Sequence, residues 1–256
     1  MALIYVKGII TFEAINVAEY VQKLTIDDVS FTLKDELNLV CSFSIDAPDT
    51  SDSHLDQQIK SCLEHICASI IIATGVDIVD CEVVETYIPE EQTHTKHQTG
   101  NARIVQYDLS GKEITKHSDV ANKICNSASP KTWGVASLIY SAETTDDDYG
   151  RFWLLYSALQ LLSVGQFEGN DRQRVNQLMM KYASSPEPSH MQTVVSDFGN
   201  DKGKYISIVT ATRDAFSHDG ATFNNGQVFD LRYQLVLPSL FKMLPVCKKE
   251  IANIVA

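Results

Sequence analysis

The apolar pattern of this chain changes its period near residue 111, and that change constrains the fold more than any other feature. Before it, four segments rich in Val, Ile, Phe and Tyr alternate as strands do: residues 3–12, 29–34, 37–45 and 76–88. One helical segment lies between the third and fourth strands, with apolar residues at spacings of three and four from Leu55 to Ala73, and Gly75 ends it. A helix that covers one face of a small sheet is the economical packing, so residues 1–110 are predicted to form an α+β domain.

The ends of these elements carry local signals. Asp52 or Ser53 can cap the helix, because short polar side chains accept hydrogen bonds from the first free backbone N–H groups. Residues 89–100 are polar and have no period, so we expect a long exposed hairpin loop there. A strand over residues 101–109 is predicted to return from that loop.

In the second half of the chain, residues 111–256, strand signals nearly vanish and helical spacing replaces them. The helical segments are residues 120–125, 132–143, 149–164, 171–183, 204–218 and 227–255. Ser118 and Asp171 are the expected caps, and Pro130 suits the first turn of a helix, where its missing N–H is no loss. The prolines expected to kink or break the last segment are Pro238 and Pro245. An all-α domain is therefore predicted.

Charge is divided as unevenly as the apolar pattern. Residues 1–110 hold 18 acidic and 6 basic residues, a net charge of −12, whereas residues 111–256 hold 15 of each. An acidic surface repels phosphate chains, so we expect nucleic acid to bind only the second half. No apolar run approaches the ~20 residues that cross a bilayer, and no basic leader precedes the first apolar run. With six scattered cysteines, this composition predicts reduced thiols in a cytoplasmic protein.

One short pattern in the second half can carry chemistry. Arg213 and His218 stand on either side of four residues, near the end of a predicted helix that Gly220 can terminate. Imidazole exchanges protons near neutral pH, and guanidinium offers forked donors that match phosphate oxygens. A cleft holding both is equipped for metal-independent RNA cleavage. The ribose 2′-OH attacks the adjacent phosphorus, His218 handles protons, and Arg213 balances the growing negative charge.

Upstream of this pattern, residues 151–162 form a predicted amphipathic helix whose aromatic residues, Phe152, Trp153 and Tyr156, fit a core stripe. Together the two features resemble the HEPN superfamily (higher eukaryotes and prokaryotes nucleotide-binding), compact helical bundles that often carry Arg-x4–6-His. The resemblance covers residues 130–255. It implies an HEPN-like bundle, an endoribonuclease of the toxin–antitoxin or phage-defence type, and a homodimer that pairs two motifs. Inactive members of the superfamily also exist.

The spacing of the motif raises a geometric question. Arg213 and His218 are five residues apart, so about 140° separates them around a helix axis. Either the last turn unwinds, or the site lies on a two-fold axis where each protomer supplies part, and the resemblance supports the two-fold arrangement. Asp214 takes the place where many family members have a polar residue such as asparagine. It either orients Arg213 or His218, or adds a negative charge beside a phosphate site.

The remaining candidate residues have weaker patterns. The weak RNA-binding candidates are Arg151, Tyr156 and Lys204. Other basic residues of the second half, Arg172 among them, fit a solvated surface equally well. The run of Cys62, His65 and Cys67 has the residue types of a metal site, but Cys62 falls on the apolar stripe of its helix. A core thiol is the better interpretation, and no metal or other cofactor is predicted.

Two functions of different classes remain open. The first is an HEPN-type endoribonuclease that cleaves RNA as a homodimer, with the acidic N-terminal domain as a sensor or regulator that binds a protein partner or antitoxin. The second is a catalytically inactive HEPN-like module for dimerisation or nucleotide binding, whose acidic domain docks onto a basic partner.

Overall fold

Two compact units make up the protein. The computed structural model describes residues 2–47, 54–88, 93–96, 105–106, 113–182, 207–219 and 235–255. The first unit comprises residues 1–144 with 252–256, and the second comprises residues 145–251. The predicted boundary at residues 110–111 falls inside the first unit, because the next two helices pack against the helix of the sheet domain. The elements described after residue 111 are all helices, in agreement with an α+β part followed by a helical part.

The first unit is built on an antiparallel sheet crossed by one long helix. Its elements are β1 (Ala2–Phe12), β2 (Ala14–Ile15), α1 (Val17–Val21), β3 (Ser30–Leu33), β4 (Asn38–Ala47), α2 (Leu55–Thr74), β5 (Ile78–Ile88), β6 (Thr93–Lys96), β7 (Val105–Gln106), α3 (Ile114–Cys125) and α4 (Pro130–Glu143). Five strands lie in the order β3-β4-β1-β5-β6. The central β1 buries alternate residues from Ile4 to Phe12, as the period of a half-buried strand requires. The four predicted strands are confirmed.

The predicted loop over residues 89–100 is wrong in part. Residues 93–96 form β6, which pairs with β5 and places Thr95 opposite Thr86. Backbone pairing at the sheet edge supplies hydrogen bonds to a polar segment whose side chains carry no strand pattern. Of the predicted strand over residues 101–109, only β7 is described, and it pairs in parallel with β2 rather than with the main sheet. The predicted caps Asp52 and Ser53 lie outside the described residues.

Helix α2 approaches the sheet closely where β1 carries a glycine. A Cβ on Gly8 would lie 2.7 and 2.9 Å from the two terminal carbons of Leu63 and 3.2 Å from the carbonyl oxygen of Glu82. Glycine therefore admits the fully buried Leu63 side chain to the sheet surface. Gly75 ends α2 in the left-handed conformation, with φ of 76°, as predicted.

Helices α3 and α4 pack on α2 through aromatic and histidine contacts. The imidazole of His65 stacks on Trp133 with ring centroids 3.4 Å apart, and its Nε2 donates to the carbonyl oxygen of Ile124 at 3.0 Å. Burial lowers the pKa of His65, although this hydrogen bond opposes the shift. Ser118 was predicted to cap its helix and does not, because α3 begins at Ile114. The Ser118 hydroxyl instead accepts a hydrogen bond from the backbone N–H of Thr25 at 3.0 Å.

The described elements of the second unit are four helices. They are α5 (Asp148–Ser163), α6 (Asp171–Lys181), α7 (Ile208–Asp219) and α8 (Leu237–Val255). The cap of α6 is Asn170 and not the predicted Asp171, because the Asn170 side chain and Gln173 form a reciprocal capping box. In the first unit, Pro130 occupies the first turn of α4 as predicted. Pro245 does not break the last helix, since α8 continues past it to Val255.

Polar contacts inside the second unit link α8 to its neighbours. The Thr212 hydroxyl lies 2.8 Å from that of Ser239, joining α7 to α8. The Glu250 carboxylate is 2% exposed and accepts hydrogen bonds from Lys181 at 3.0 and 3.1 Å and from the Tyr182 hydroxyl. Burial opposes ionisation of Glu250, but these hydrogen bonds outweigh it and lower its pKa. Within the described residues, no helix combines the length and apolar character needed to cross a membrane.

Candidate active site

Helix α7 carries the Arg213–His218 motif, and polar contacts with α6 fix its start. The Ser207 hydroxyl accepts a hydrogen bond from the backbone N–H of Thr210 at 3.1 Å, which is the capping geometry that short polar residues favour. The backbone N–H of Ser207 donates to the Asn176 side chain at 2.7 Å. Asn176 belongs to α6, so the position of α7 along α6 is set before the motif is reached.

The motif remains helical along its whole length. The helix runs from Ile208 to Asp219, so the last turn does not unwind between Arg213 and His218. The Cα positions of these two residues are therefore separated by about 140° around the axis of α7. Of the two arrangements considered from the sequence, the unwound turn is wrong, and the two-fold arrangement stays a prediction. The side chain of His218 and the predicted terminator Gly220 lie outside the described part of the chain.

Asp214 joins two guanidinium groups. Its Oδ2 accepts from Nε and Nη2 of Arg172, both at 2.7 Å, and its Oδ1 lies 3.2 Å from Nη1 of Arg213. The Asp214 side chain is only 13% exposed, so the pair with Arg172 is partly shielded from water. The bridge ties α6 to α7 and leaves one net positive charge on the three groups.

Tyr156 of α5 supplies a buried hydroxyl within electrostatic range of Arg213, Asp214 and Arg172. Its side chain is 2% exposed, and its Oη has no hydrogen-bond partner among the described residues. Burial raises the pKa of Tyr156, while the charge of Arg213 lowers it and that of Asp214 raises it. A buried hydroxyl without a partner costs about 1–3 kcal/mol, and an anionic oxygen placed there would accept its proton in a hydrogen bond.

Aromatic packing holds α5 and α7 together around the cluster. The Phe216 ring of α7 lies 5.5 Å from Tyr149, 5.6 Å from Phe152 and 6.0 Å from Trp153, measured between ring centroids. Phe152 is fully buried, as the core interpretation of this stripe predicted. The core prediction is wrong for Trp153, which is 41% exposed and leaves an aromatic face beside the motif helix.

The predicted site residues are only partly brought together. Tyr156, Arg213 and Asp214 form one cluster. The cluster also includes Arg172, which no sequence pattern distinguished from the other basic residues of the second half. Arg151 lies five residues before Tyr156 on α5 and is half-buried, so the two differ by about 140° around that helix. Lys204 lies outside the described residues. The sequence feature that distinguishes Arg172 is its position in the first turn of α6, directly after the capping residue Asn170 and Asp171.

The run of cysteine and histidine on α2 is packed inside the first unit. Cys67 is fully buried and Cys62 is half-buried, with its pKa raised by burial. His65 is occupied by Trp133 and Ile124, as described above. Across the described residues, no group of three or more His, Cys, Asp or Glu side chains could hold a metal ion.

The cluster on α5, α6 and α7 is suited to an anionic ligand. It combines two guanidinium groups, which match phosphate oxygens in geometry, with a buried hydroxyl donor and a neighbouring exposed indole. Its carboxylate already occupies the guanidinium donors, so a phosphate has to compete with Asp214. Comparison with known proteins gives no further guide, since no family model, curated protein or solved structure matches the chain.

Proposed function

We propose that this protein is a metal-independent endoribonuclease of the HEPN type, acting in the cytoplasm in toxin–antitoxin or phage-defence systems. The observation that carries the proposal is the pair of guanidinium groups, Arg172 and Arg213, beside the unpartnered Tyr156 hydroxyl, on and against the helix that bears His218. Such a cluster can bind one phosphate of an RNA chain next to an imidazole. Arg151 and Lys204 are proposed as weaker contacts to the rest of the strand.

Each side chain then has a defined task. The 2′-OH attacks the adjacent phosphorus, and the bond from phosphorus to the 5′-oxygen breaks. His218 exchanges the protons that move between these two oxygens, while Arg213 stabilises the charge on the phosphoryl oxygens. The products are a 2′,3′-cyclic phosphate and a 5′-hydroxyl end. Asp214 orients Arg213 and sets the affinity, because it must release donors before phosphate binds.

The continuous helix favours a site shared by two copies of the chain. The Cα positions of Arg213 and His218 are about 140° apart around α7, a spacing that favours taking the two groups of one site from different copies. A homodimer with a two-fold axis near α7 brings Arg213 of one copy to His218 of the other. The acidic residues 1–110 are left to bind a protein partner or antitoxin, away from RNA.

The direct test is RNA cleavage in EDTA by wild type and by His218→Ala. We expect His218→Ala to keep the circular dichroism spectrum and oligomeric state of the wild type and to lose about 100-fold or more in cleavage rate. His54→Ala, an exposed histidine of the first unit, is the matched control and should cleave as wild type does. Equal rates for wild type and His218→Ala would refute the assignment.

Mixing two inactive variants tests whether the site is shared. If each site takes Arg213 from one copy and His218 from the other, a heterodimer of Arg213→Ala with His218→Ala has one intact site. An equimolar mixture should then recover about a quarter of wild-type activity after subunit exchange. A mixture as inactive as its components, with exchange shown by mass spectrometry, would place both groups in one copy.

The second candidate is a catalytically silent nucleotide-binding or dimerisation module, which the Asp214 bridge favours because it cancels one of the two positive charges of the cluster. Its signature is a wild type that neither cleaves nor retains RNA, together with an Asp214→Asn variant that binds. Removal of one carboxylate should steepen the dependence of RNA affinity on salt by about one phosphate contact. Anisotropy of a labelled 2′-O-methyl RNA, which cannot be cleaved, measures this without any contribution from catalysis.

A further inference from the structure

The main sheet carries apolar and aromatic side chains on its outer face, which is the side that points away from α2. Gly8 of β1 meets Leu63 of α2, so the even-numbered residues of β1 face the helix and the odd-numbered residues face outward. Of these outward residues, Leu3 is 40% exposed and Tyr5 is 48% exposed, although β1 is the central strand of the sheet. The wet face of an antiparallel sheet is usually polar, and this outer face departs from that pattern.

Two tyrosines form the centre of the outer face. Strands β1 and β5 pair so that Tyr5 lies opposite Tyr87. The two rings are stacked, with centroids 6.5 Å apart and planes inclined by 30°. Ile9 and Val40, which pair with each other, continue the same face along β1 and β4. Tyrosine is enriched at protein–protein interfaces because it combines a large apolar ring with a polar hydroxyl, so this composition is typical of a docking surface.

Carboxylates surround the tyrosine pair. The register of β1 with β4 and β5 places four acidic residues on the outer face: Asp46, Asp80, Glu82 and Glu85. Lys7 is the one basic residue that these three strands place there, and its Nζ lies 3.0 Å from the Glu85 carboxylate. Strand β6 adds Lys96 in register with Glu85, so acidic residues outnumber basic ones by four to two. The outer face therefore favours a positively charged partner.

We propose that the outer face docks an arginine-bearing basic segment of a partner protein. A guanidinium group is planar, so it can stack on a tyrosine ring and also donate to a carboxylate, whereas an ammonium group is a compact point charge. Tyr5 and Tyr87 supply the rings, and Asp46 and Glu85 supply carboxylates on the same face. The assignment rests on the partner-binding role proposed for residues 1–110, and it adds to that role a surface and a partner chemistry.

Two other occupants fit the outer face less well. Nucleic acid is one, since tyrosine rings also stack on bases, but the four acidic residues repel its phosphates. A second copy of the chain is the other, and a two-fold contact through this face would bring the same acidic residues of both copies together. A basic segment matches the rings and the charge at once.

The test is the fluorescence anisotropy of a labelled Gly-Arg repeat peptide titrated with the full chain in the absence of RNA. A Gly-Lys repeat peptide of equal length has the same charge and is the matched control. We expect the arginine peptide to bind more tightly. Tyr5→Thr keeps a strand-forming residue and should weaken its binding about two- to fivefold, as loss of an exposed cation–π contact does. Tyr5→Phe keeps the ring and should bind as the wild type does.

Removal of single carboxylates separates the outer face from the net charge of the chain. Asp46→Asn removes an exposed carboxylate on the outer face, and Asp56→Asn removes an exposed carboxylate in the first turn of α2. Asp46→Asn should weaken binding of the arginine peptide about twofold, and Asp56→Asn should leave it unchanged. Equal weakening by both variants, or wild-type affinity in Tyr5→Thr, would overturn the assignment.

The same variants test the other two occupants. A single-stranded 2′-O-methyl RNA that the wild type binds and Tyr5→Thr releases would assign the outer face to nucleic acid. A dimer that Tyr5→Thr dissociates in sedimentation velocity would assign it to a second copy, and either result would overturn the docking of a basic segment. The peptide assay involves no cleavage. A chain that cleaves no RNA but binds the arginine peptide through Tyr5 would therefore support this surface while refuting the proposed catalytic function.

Discussion

The close approach of α2 to the sheet makes a quantitative prediction for Gly8→Ala. The new methyl carbon would lie 2.7 and 2.9 Å from the terminal carbons of Leu63, which is fully buried. Forcing a methyl group into a packed core costs about 1–3 kcal/mol. A glycine in a strand interior is itself about 0.5–1 kcal/mol less favourable than alanine. We therefore expect a net loss of about 1–2 kcal/mol in the free energy of unfolding.

A double-mutant cycle with Leu63→Ala isolates the contact. Alone, Leu63→Ala should cost about 2–5 kcal/mol, because it empties a fully buried site. In that background both clashing carbons are gone, and only the carbonyl oxygen of Glu82 remains near the new methyl, at 3.2 Å. Gly8→Ala should then be neutral or slightly stabilising, which corresponds to a coupling of about 1–2 kcal/mol between the two sites.

The assay is urea unfolding followed by tryptophan fluorescence in a Trp153→Phe background. The chain has 2 tryptophans, so Trp133 then reports the first unit alone. Gly75→Ala is the matched control: its cost comes from a φ of 76°, its Cβ meets nothing within 4 Å, and it should add to Leu63→Ala. Additive free energies for Gly8→Ala and Leu63→Ala would show that this contact does not set the position of α2.

Two further predictions concern acid stability, in separate pH ranges. Burial lowers the pKa of His65 in the folded state, so the unfolded chain binds more protons as the pH falls below about 6.5. The free energy of unfolding therefore decreases from that pH downward, by at most about 1.4 kcal/mol per pH unit from this group. His65→Phe keeps a ring against Trp133 and should flatten urea midpoints between pH 7 and 5; an unchanged slope contradicts the reasoning. The pKa of Glu250 is lowered in the folded state, so its contribution is present above about pH 4.3 and is lost as the pH falls through the folded value. Glu250→Gln should lower the free energy of unfolding by about 1–3 kcal/mol at pH 7, because Lys181 loses its charged partner. On acidification below pH 4 this variant should lose less stability than the wild type does. Equal losses of stability would count against the ion pair.

Elements whose side chains repeat with one period could be predicted from the sequence. Strand β1 alternates apolar and polar residues over its whole length, and α2 carries apolar residues every three or four positions until Gly75. Each pattern reflects burial of one face, which is a property of a short stretch of chain.

Elements without such a period were missed or misplaced. Strand β6 is Thr93–Lys96, a polar segment whose strand character comes only from pairing with β5. The start of helix α3 was predicted too late, at Ser118 instead of Ile114, because the first turn of the helix has no apolar pattern that marks it. At the start of α6 either Asn170 or Asp171 could be the cap. Asn170 takes this role because its side chain and that of Gln173 form the reciprocal capping box.

The chemistry of the protein divides in the same way. Residue type and spacing in the sequence were enough to select Arg213 and His218 as candidates and to predict that Phe152 is buried. Both predictions depend only on residues that are neighbours within a single helix. Only the tertiary structure brought Arg172 to Asp214, 42 positions away, and the Tyr140 hydroxyl to the Cys81 sulfur, 59 positions away. Periodicity tells which face of a helix is buried. Which side chains meet is decided by how closely two elements approach, and residues at the contact set that distance, as Gly8 and Leu63 do between α2 and the sheet.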